Sequence, residues 1–417
     1  MNNNKPKILW ISQHASYPRA KEAGQNTFHY YFKNFLDSRK YEITLIAFDD
    51  AFNEESAEKE NAGIEHYIFY KHENLADNLK RIINLESKYN PWNRNGNIIS
   101  NYTKYKILQV IHGLQKRGYS PDIVIFEWTE MVVLISEVKK IWPNSRCIAS
   151  EHDLKYMNFY RYYKEESGIS KKIWGLKYQN CKKHEIAALM QCDLIMSHNP
   201  DYKKNMVRAG IPKNKIRWLV PYYNNLENVE RTPENHDVLF FGAMNRPENY
   251  RSAIWFIENV MPLLKETNLR FIVLGAHPSA ELLRYKSDKV IITGFVDDIK
   301  PYFEKSLCFV APLLLGAGIK VKVIEALTSG IPVLTNDIGI EGIHAVDRKE
   351  YIHCVTVEDY EKTITYLYNH IEEGMQIGFQ GKKKALKLFN LKDSLARYLN
   401  YTDSLLDGRL LPDDIVE

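Results

Sequence analysis

The sequence has few cysteines, no long apolar run and no strong net charge, and each absence excludes a class of protein. The five cysteines among 417 residues include no Cys-x-x-Cys pair, which argues against a zinc site or a disulfide framework and is typical of a reducing compartment. No stretch approaches the ~20 apolar residues that span a bilayer, and the run at 8–11 is too short for a signal peptide. The balance of 56 Lys and Arg against 52 Asp and Glu does not indicate a nucleic-acid-binding protein. We expect a soluble, cytoplasmic protein.

Length and the alternation of segments predict an α/β protein with more than one domain. At about 100–200 residues per domain, a chain of 417 residues holds two or three. In the first half, short apolar runs alternate with segments of helical length, as in a parallel doubly wound sheet. The predicted strands are 7–12, 41–48, 64–70, 122–127, 147–151, 194–197 and 216–220, and the predicted helices include 27–38, 75–88 and 98–117, with Gly24 in a polar loop before the first of them.

The alternation begins again after a polar segment at 223–236, which contains a proline and lacks periodicity. We therefore predict a Rossmann-like domain over 1–225, a second one over 236–390, and a helical tail over 391–417. Ligands of such sheets bind outside the carboxyl ends of the strands, so the cleft between the two domains is the expected site. The predicted strands of the second half are 238–241, 270–274, 290–293, 308–312 and 333–335, and its predicted helical segments are 250–266, 299–305, 319–329 and 358–406.

The segment 310–333 reads as a strand, a glycine turn, a helix and a second strand. Gly316 and Gly318 allow the backbone to approach a ligand closely, and the helix start that follows offers N–H groups and a positive dipole. Lys320 adds a charge where the dipole disfavours a cation, which indicates an anion there. A diphosphate is the obvious candidate. The alternative is a glycine turn before an empty helix start.

One turn further along this helix, Glu325 lies among apolar residues. A carboxylate at that position could accept two hydrogen bonds from a ribose diol, as the acidic residue of dinucleotide sites does. The alternative is a structural ion pair with Lys322, three residues earlier.

The motifs of the second half resemble those of a known family. Gly-Ala-Gly-Ile-Lys at 316–320, Ile-Glu-Ala at 324–326 and Ser-Gly-Ile-Pro-Val at 329–333 resemble the donor-site signature of GT-B glycosyltransferases, specifically family 4. Supporting motifs occur in the expected order at 240–244, 247–249, 273–275, 293–298 and 339–342. The resemblance covers 238–345 and reaches the first half only loosely, through Gly24 and 193–197.

The resemblance implies a GT-B fold, with two Rossmann-like domains across a cleft and a helical tail that packs back on the first domain. It implies retaining transfer of a sugar from a nucleotide-sugar donor, without a metal or another cofactor. Lys320 would act in catalysis by stabilising the leaving diphosphate, Glu325 would bind the ribose, and the main chain at Phe295 and Val296 would meet the base. The whole implied donor site is Gly242, Phe295, Val296, Gly316, Ala317, Gly318, Ile319, Lys320 and Glu325.

Three positions depart from the family pattern. Ala317 stands where the family motif has its first glutamate, and Ala243 and Asn249 stand where the family often has an arginine and a lysine. Arg246 and Arg251 lie nearby; they are either substitutes for the missing cations or ordinary surface arginines.

The acceptor side is predicted at the ends of strands in the first domain. Glu151, His152 and Asp153 lie at the C-terminal end of the strand at 147–151, where the residues that face the cleft belong. His152 could bind the sugar or help to deprotonate an acceptor hydroxyl, and it is our second catalytic candidate; the alternative is a histidine that caps the next helix. His14, after the first strand, and Gly24 complete the predicted acceptor side.

Basic and aromatic residues alternate between 155 and 183. This composition suits a lipid headgroup surface or stacking on sugars. The alternative is a pair of solvated helices with some aromatic core contacts. Nucleic acid is the least favoured partner because no known binding module is present.

Taken together, the sequence predicts a glycosyltransferase of polysaccharide biosynthesis that moves a sugar from a nucleotide-sugar donor to a glycan or a lipid-linked saccharide. It would lie in the cytoplasm or at the inner face of the membrane. Two alternatives stay open. A sugar-nucleotide epimerase shares the architecture and needs no acceptor, and a non-catalytic partner subunit would explain the departures at Ala317, Ala243 and Asn249.

Overall fold

The computed structural model describes residues 5–18, 20, 22–71, 96–233, 237–265, 268–316 and 318–409. These residues form two compact units. The first comprises the described residues up to Tyr222 together with those from Leu391 onwards, and the second is Tyr223–Asn390. The predicted helix at 75–88 and the predicted site residue Ala317 lie outside the described residues.

The first unit is built on a seven-stranded sheet in which all neighbouring strands are parallel, in the order β3-β2-β1-β4-β5-β6-β7. Every residue of the strands β4 and β6 is buried, as expected for a sheet that helices cover on both faces. Its strands are β1 Lys7–Ser12, β2 Glu42–Asp50, β3 Glu65–Lys71, β4 Ile123–Glu127, β5 Arg146–Glu151, β6 Leu194–Ser197 and β7 Ile216–Trp218.

The helices of the first unit match the predicted alternation, but the first of them begins earlier than predicted. Gly24, predicted in a loop, lies in the first turn of α1. The prediction was wrong because the polar residues there are buried: Gln25 Nε2 donates to Ala15 O at 3.1 Å and to Asp49 Oδ2 at 3.1 Å. The helices are α1 Ala23–Asp37, α2 Glu54–Asn61, α3 Asn101–Lys116, α4 Thr129–Val132, α5 Ile135–Ile141, α6 Lys155–Glu165, α7 Gly168–Leu189 and α8 Tyr202–Arg208.

The second unit repeats this plan with a six-stranded parallel sheet in the order β10-β9-β8-β11-β12-β13. The strand β13 is only two residues long and was not predicted from the sequence. The strands are β8 Asp237–Phe241, β9 Arg270–Leu274, β10 Val290–Gly294, β11 Cys308–Ala311, β12 Val333–Thr335 and β13 Ile352–His353. The helices are α9 Pro247–Asn259, α10 Ala280–Leu283, α11 Lys300–Lys305, α12 Val321–Ser329, α13 Val357–Asn369 and α14 Ile371–Leu388.

Two helix starts in the second unit differ from the predicted ones by more than one residue. The helix α9 starts at Pro247 rather than at 250, since proline at the first helical position needs no hydrogen-bond partner for its nitrogen. The helix α12 starts at Val321 rather than at 319, and Lys320 is its N-cap residue in an extended conformation. Lys320 therefore stands directly before the helix and not within its first turn.

The C-terminal segment is helical, as predicted, but it is divided into three helices. The last, α15 Leu391–Leu406, belongs to the first unit. Its Ser394 hydroxyl lies 2.8 Å from the Tyr31 hydroxyl and accepts a hydrogen bond from the Val220 N–H at 3.0 Å, and Tyr398 packs its ring against Phe35 at 4.9 Å between centroids. The prediction of two doubly wound Rossmann-like domains with a helical tail is confirmed.

In each sheet the strand order reverses direction once, between β1 and β4 and between β8 and β11. Loops leave such a point in opposite directions, and the carboxyl ends of the flanking strands border a crevice. The predicted site residues lie at these carboxyl ends or in the helices that follow them.

Candidate functional site

The turn after β11 is the first part of the site in the second unit. Gly316 and Gly318 have φ values of 124° and 71°, a backbone region that side chains with a Cβ rarely adopt. A Cβ at Gly316 would also lie 3.2 Å from Lys320 Cε. Glycine at both positions thus lets the turn fold tightly against the Lys320 side chain. Ile319 lies within the turn and is partly buried.

Lys320 folds its side chain back over this turn. Only 9% of the residue is exposed. Its Nζ donates a hydrogen bond to the Gly318 carbonyl oxygen and lies 3.6 Å from Glu341 Oε2. The ammonium group therefore sits beside the N-terminus of α12, where the helix dipole adds to its positive potential.

Glu325 lies one turn into α12 and is buried. Its Oε1 accepts hydrogen bonds from the Asn224 backbone N–H at 3.0 Å and from Asn224 Nδ2 at 2.8 Å. No described residue donates to Oε2. Burial raises the pKa of Glu325 to about 7, against the lowering effect of the Asn224 hydrogen bonds. The alternative of an ion pair with Lys322 is not realised, because Lys322 turns to Asn249 instead.

The loop after β8 forms the other side of this edge. The Gly242 N–H donates to the Leu274 carbonyl at 3.0 Å, and a Cβ at Gly275 would lie 1.7 Å from Gly242 O. The two loops therefore touch through their backbones. Phe295 and Val296 follow β10, two strands away from β8, and Phe295 is 75% exposed.

Lys322 was not among the predicted site residues. Its Nζ donates to Asn249 Oδ1 and lies 5.2 Å from the centroid of the Phe240 ring. Arg246 and Arg251 are both exposed, and Arg246 pairs with Glu248 at 2.6 Å. Of the cations near the β8 loop, Lys322 is thus the one held inside the fold.

In the first unit, a carboxylate and two histidines meet at the carboxyl ends of β4, β5 and β6. His152 Nε2 lies 2.7 Å from Glu127 Oε1. The rings of His152 and His198 are 4.3 Å apart between centroids. Ser150 donates to Glu127 Oε1 at 2.6 Å, and Trp10 Nε1 donates to Glu127 Oε2 at 3.0 Å. His152 was predicted from the sequence, whereas Glu127 and His198 were not, although Glu127 ends a predicted strand and His198 directly follows one.

Aromatic rings and Gly24 surround His152 on its other side. The Trp128 ring stacks on His152 at 4.3 Å with an interplanar angle of 13°, and His14 meets Trp128 edge-on at 5.1 Å. A Cβ at Gly24 would lie 3.2 Å from His152 Nδ1. Three predicted acceptor-side residues, His14, Gly24 and His152, are thus brought together around a tryptophan that the sequence analysis did not identify.

Burial governs the protonation of this histidine cluster. It lowers the pKa values of His152 and His198 to about 3 and raises the pKa of Glu127 to about 7. Both imidazoles are therefore uncharged near neutral pH. His198 Nδ1 lies 3.1 Å from the Leu219 carbonyl, which favours a proton on Nδ1 and leaves Nε2 as an acceptor.

The same three residues could hold a metal ion. One ligand atom from each of Glu127, His152 and His198 lies within 4.8 Å of the others, and this is the group of that kind found among the described residues. Carboxylate and imidazole are ligands that zinc accepts. The expectation that the protein needs no metal stays a prediction.

Glu151 and Asp153 are separated from His152. Successive side chains of a strand point to opposite faces, so Glu151 faces away from Ser150 and His152. The Thr129 hydroxyl lies 2.5 Å from Glu151 Oε2 and 3.0 Å from Glu185 Oε1. It lies also 3.2 Å from the Asp153 carbonyl oxygen. Burial raises the pKa of Glu151 well above its usual value and that of Glu185 to about 7. These carboxyls form a second, buried cluster.

The helices α6 and α7 carry the basic and aromatic residues predicted at 155–183. Some of the aromatic rings contact other side chains of the same two helices. Tyr162 stacks on Trp174 at 4.6 Å between centroids, and Lys177 Nζ lies 4.7 Å from the centroid of the Trp174 ring. Ile169 is 78% exposed, and Ile173 on the next turn is also exposed. Among the described helices, none is long and apolar enough to cross a membrane.

Comparisons with known proteins agree with this architecture. Residues 235–370 match the family described as Glycosyl transferases group 1. A curated relative from Klebsiella pneumoniae, "Uncharacterized 44.6 kDa protein in cps region", is 29% identical over 144 residues, which are 31% of this chain and 37% of the relative. The match therefore spans well under half of that relative's length.

Solved structures match over nearly the whole chain. Sucrose-phosphate synthase from Thermosynechococcus elongatus has a TM-score of 0.69 at 15% identity, covering 97% of this chain and 100% of the other. Anabaena Alr3699/HepE, crystallised in complex with UDP and glucose, has a TM-score of 0.66 at 12% identity, covering 96% and 100%. The resemblance to GT-B glycosyltransferases is confirmed, whereas membership of family 4 stays a prediction. The chain has the GT-B fold, and residues 235–370 of its second unit match the Glycosyl transferases group 1 family.

Proposed function

We propose that this protein is a glycosyltransferase that moves a sugar from a nucleotide-sugar donor to a glycan or a lipid-linked saccharide, with retention of anomeric configuration. The observation that carries the proposal is the Gly316–Gly318 turn with the Lys320 ammonium beside the N-terminus of α12. It lies at the reversal of strand order in the second sheet, where α/β proteins bind nucleotides. The family match at 235–370 includes this turn.

The chemistry of the second unit suits a leaving diphosphate. As the bond between the sugar and the diphosphate breaks, positive charge develops on the anomeric carbon and negative charge on the departing oxygen. Preorganised positive groups stabilise such developing charge strongly in a partly dry site. Lys320 and the N-terminal N–H groups of α12 supply them here. No metal or other cofactor enters this scheme.

Other residues at the carboxyl edge of the second sheet would make the remaining contacts with the donor. Glu325 Oε2, which no described residue engages, is oriented by Asn224 through the other oxygen and would accept a ribose hydroxyl. The backbone at Gly242 would pass along the diphosphate. Main-chain groups at Phe295 and Val296, beyond β10, would meet the base.

The first unit would hold the sugar and the acceptor hydroxyl through His152. Its neutral imidazole, packed on Trp128, can donate or accept a hydrogen bond without the cost of burying a charge. A pKa of about 3 makes His152 a weak base, so we assign it to hydrogen bonding of the sugar, with proton transfer only as the reaction proceeds.

The helices α6 and α7 would place the protein against a lipid surface at the cytoplasmic face of the membrane. Exposed Ile169 and Ile173 lie beside Lys171 and Lys172 on α7, a combination that anionic headgroups attract. A lipid-linked acceptor of polysaccharide biosynthesis would be presented there, and nucleic acid has no role.

A panel of nucleotides and nucleotide sugars in a thermal-shift assay tests the donor assignment, because a ligand that binds only the folded state raises the melting temperature. The best donor is then incubated with and without saccharide acceptors. Transfer only with an acceptor supports the proposal. Conversion of the donor sugar without an acceptor would instead establish an epimerase. Weak nucleotide binding and no donor hydrolysis over long incubation would establish a non-catalytic subunit.

A further inference from the structure

Lys322 is a cation of the second unit that the scheme above does not use. It lies two residues after Lys320 on α12, and its side chain reaches the loop after β8 rather than the turn after β11. The two lysines therefore point to two different parts of the same sheet edge.

The Lys322 ammonium is held by neutral groups. Its Nζ donates to Asn249 Oδ1 and lies over the face of the Phe240 ring. Asn249 is itself fixed, because its Nδ2 donates to the Ala243 carbonyl at 2.8 Å. No carboxylate of a described residue pairs with Lys322 within 4.0 Å. A partly buried ammonium with only an amide and a ring as partners is costly, and methionine would fill the same space without that cost.

The charged groups around Lys322 offset only part of the cost of burying its ammonium group. Burial lowers the pKa of Lys322 to about 7, nearby Glu248 raises it, and Arg246 and Lys320 lower it further. Lys320 is thus close enough to repel Lys322. Two cations kept near each other at one edge of a sheet are typical of a site that binds an anion.

Gly242, in the loop after β8, leaves room for the Lys322 ammonium group because it has no side chain. A Cβ at Gly242 would lie 3.0 Å from Lys322 Nζ and 2.9 Å from Asn249 Nδ2. Both distances are tighter than ordinary contacts, so a side chain at 242 would displace the lysine from its position. With glycine there, a ligand that lies along the Gly242 backbone meets the ammonium directly.

We propose that Lys322 is a second cationic ligand of the donor's diphosphate, contacting it from the Gly242 side while Lys320 contacts it from the Gly316–Gly318 side. This inference rests on the proposed function, since that function places the diphosphate at this edge. Asn249 acts through Lys322 as a positioning residue.

The test measures affinity by calorimetry for inorganic pyrophosphate, for UDP, GDP and ADP, and for the matching nucleosides. Lys322→Met keeps most of the length of the side chain and removes the charge, and Lys322→Arg keeps the charge. Lys362→Met, on the exposed face of α13, is the matched control. We expect Lys322→Met to weaken pyrophosphate and the preferred diphosphate by about 10-fold or more, as for a lost charge-assisted contact, with a smaller dependence of affinity on salt. Nucleoside affinity should stay close to wild type, and the melting temperature should not fall, because methionine removes the cost of burying the ammonium group. Lys322→Arg should retain most of the binding.

The outcomes separate this inference from the proposed function. If wild type binds a diphosphate and Lys322→Met binds it equally well, the role of Lys322 is overturned and the donor assignment stands. If wild type binds pyrophosphate through Lys322 but no nucleoside diphosphate, the anion contact stands and the donor assignment fails. If Lys322→Met loses nucleoside and pyrophosphate alike, its role is structural and the inference is wrong. If wild type binds none of the probes, both are overturned.

Discussion

The carboxyl edges of the two sheets share a topology but differ in chemistry. At the second sheet, glycines bring backbone and two lysines, Lys320 and Lys322, to the strand ends. At the first sheet, buried histidines and a carboxyl, His152, His198 and Glu127, stand beside Trp128. The same fold therefore presents two lysines at one edge and two uncharged imidazoles at the other. Under the proposed function, the lysines meet an anion and the imidazoles meet hydroxyl groups. The difference follows from the residues at the strand ends and not from the sheets themselves.

The largest expected effect comes from removing the charge of the second edge. Lys320→Ala should lower kcat/KM for the donor by about 30-fold or more, equivalent to about 2 kcal/mol, since charge-assisted contacts to a partly buried anion are of this size. Steady-state kinetics with Lys362→Ala as a surface control checks this. An unchanged kcat/KM would show that Lys320 takes no part in the mechanism. The proposed chemical difference between the two sheet edges would then lose its main support.

A substitution at the edge of the first sheet should lower kcat rather than the affinity for the donor. His152→Gln keeps a hydrogen-bonding group but loses the ring that stacks on Trp128, so we expect kcat to fall about 10-fold, the scale of a lost positioning contact. The affinity for the donor's nucleoside diphosphate should be unchanged in the same preparation. Equal losses of kcat and of nucleoside diphosphate affinity would mean that His152 of the first edge also contributes to donor binding.

The pH dependence of stability in Glu325→Gln tests whether burial keeps the Glu325 carboxyl protonated. The pKa of Glu325 is raised from 4.5 to about 7, so the folded protein keeps a proton there that the unfolded chain loses. This contribution to stability is complete below pH 4.5 and is lost as the pH rises through about 7. Wild type should therefore lose up to about 3 kcal/mol relative to the variant between pH 4.5 and 8.

Denaturant unfolding across this pH range checks the Glu325 prediction, and the donor KM of Glu325→Gln should rise at the same time by about 5-fold, the value of one hydrogen bond. Parallel stability profiles for wild type and variant would show that the carboxyl is not desolvated. An unaltered donor KM would leave Glu325 a structural residue held by Asn224.

The smallest expected effect tests the fit around His152. Gly24→Ala adds a methyl group 3.2 Å from His152 Nδ1, so the ring must shift by a few tenths of an ångström, and we expect kcat to fall about 2- to 3-fold. Gly113→Ala, whose Cβ would meet nothing within 4 Å, is the matched control in a helix of the same unit. Equal rates for both variants would show that His152 tolerates displacement.

The fold could be predicted from the sequence because apolar runs of strand length alternate with helical segments throughout. The strand β9 is predicted to the residue, at Arg270–Leu274. Prediction was weaker where polar residues are buried by specific hydrogen bonds, as at Gln25 in the first turn of α1. It was also weaker where an element is only two residues long, as in β13.

The candidate site could be predicted where glycine spacing encodes the backbone, as at Gly316 and Gly318. It could not be predicted where side chains from distant segments meet. Glu127 and His198 join His152 only because β4, β5 and β6 are neighbours in register. Glu151 was grouped with His152 by adjacency, although alternation along a strand sends the two to opposite faces. Helix spacing suggested Lys322 only as an alternative partner for Glu325, whereas in the fold Lys322 donates a hydrogen bond to Asn249.

The return of the chain to its first unit through α15 has a consequence for how the protein can be divided. Tyr398 and Ser394 complete a core that Tyr31 and Phe35 begin, so a chain cut before Leu391 would leave that core open to water even though its own sheet is intact. The segment 223–390, in contrast, carries all six of its strands without a break. The second unit is thus one continuous segment of sequence, inserted between the two segments that together form the first unit.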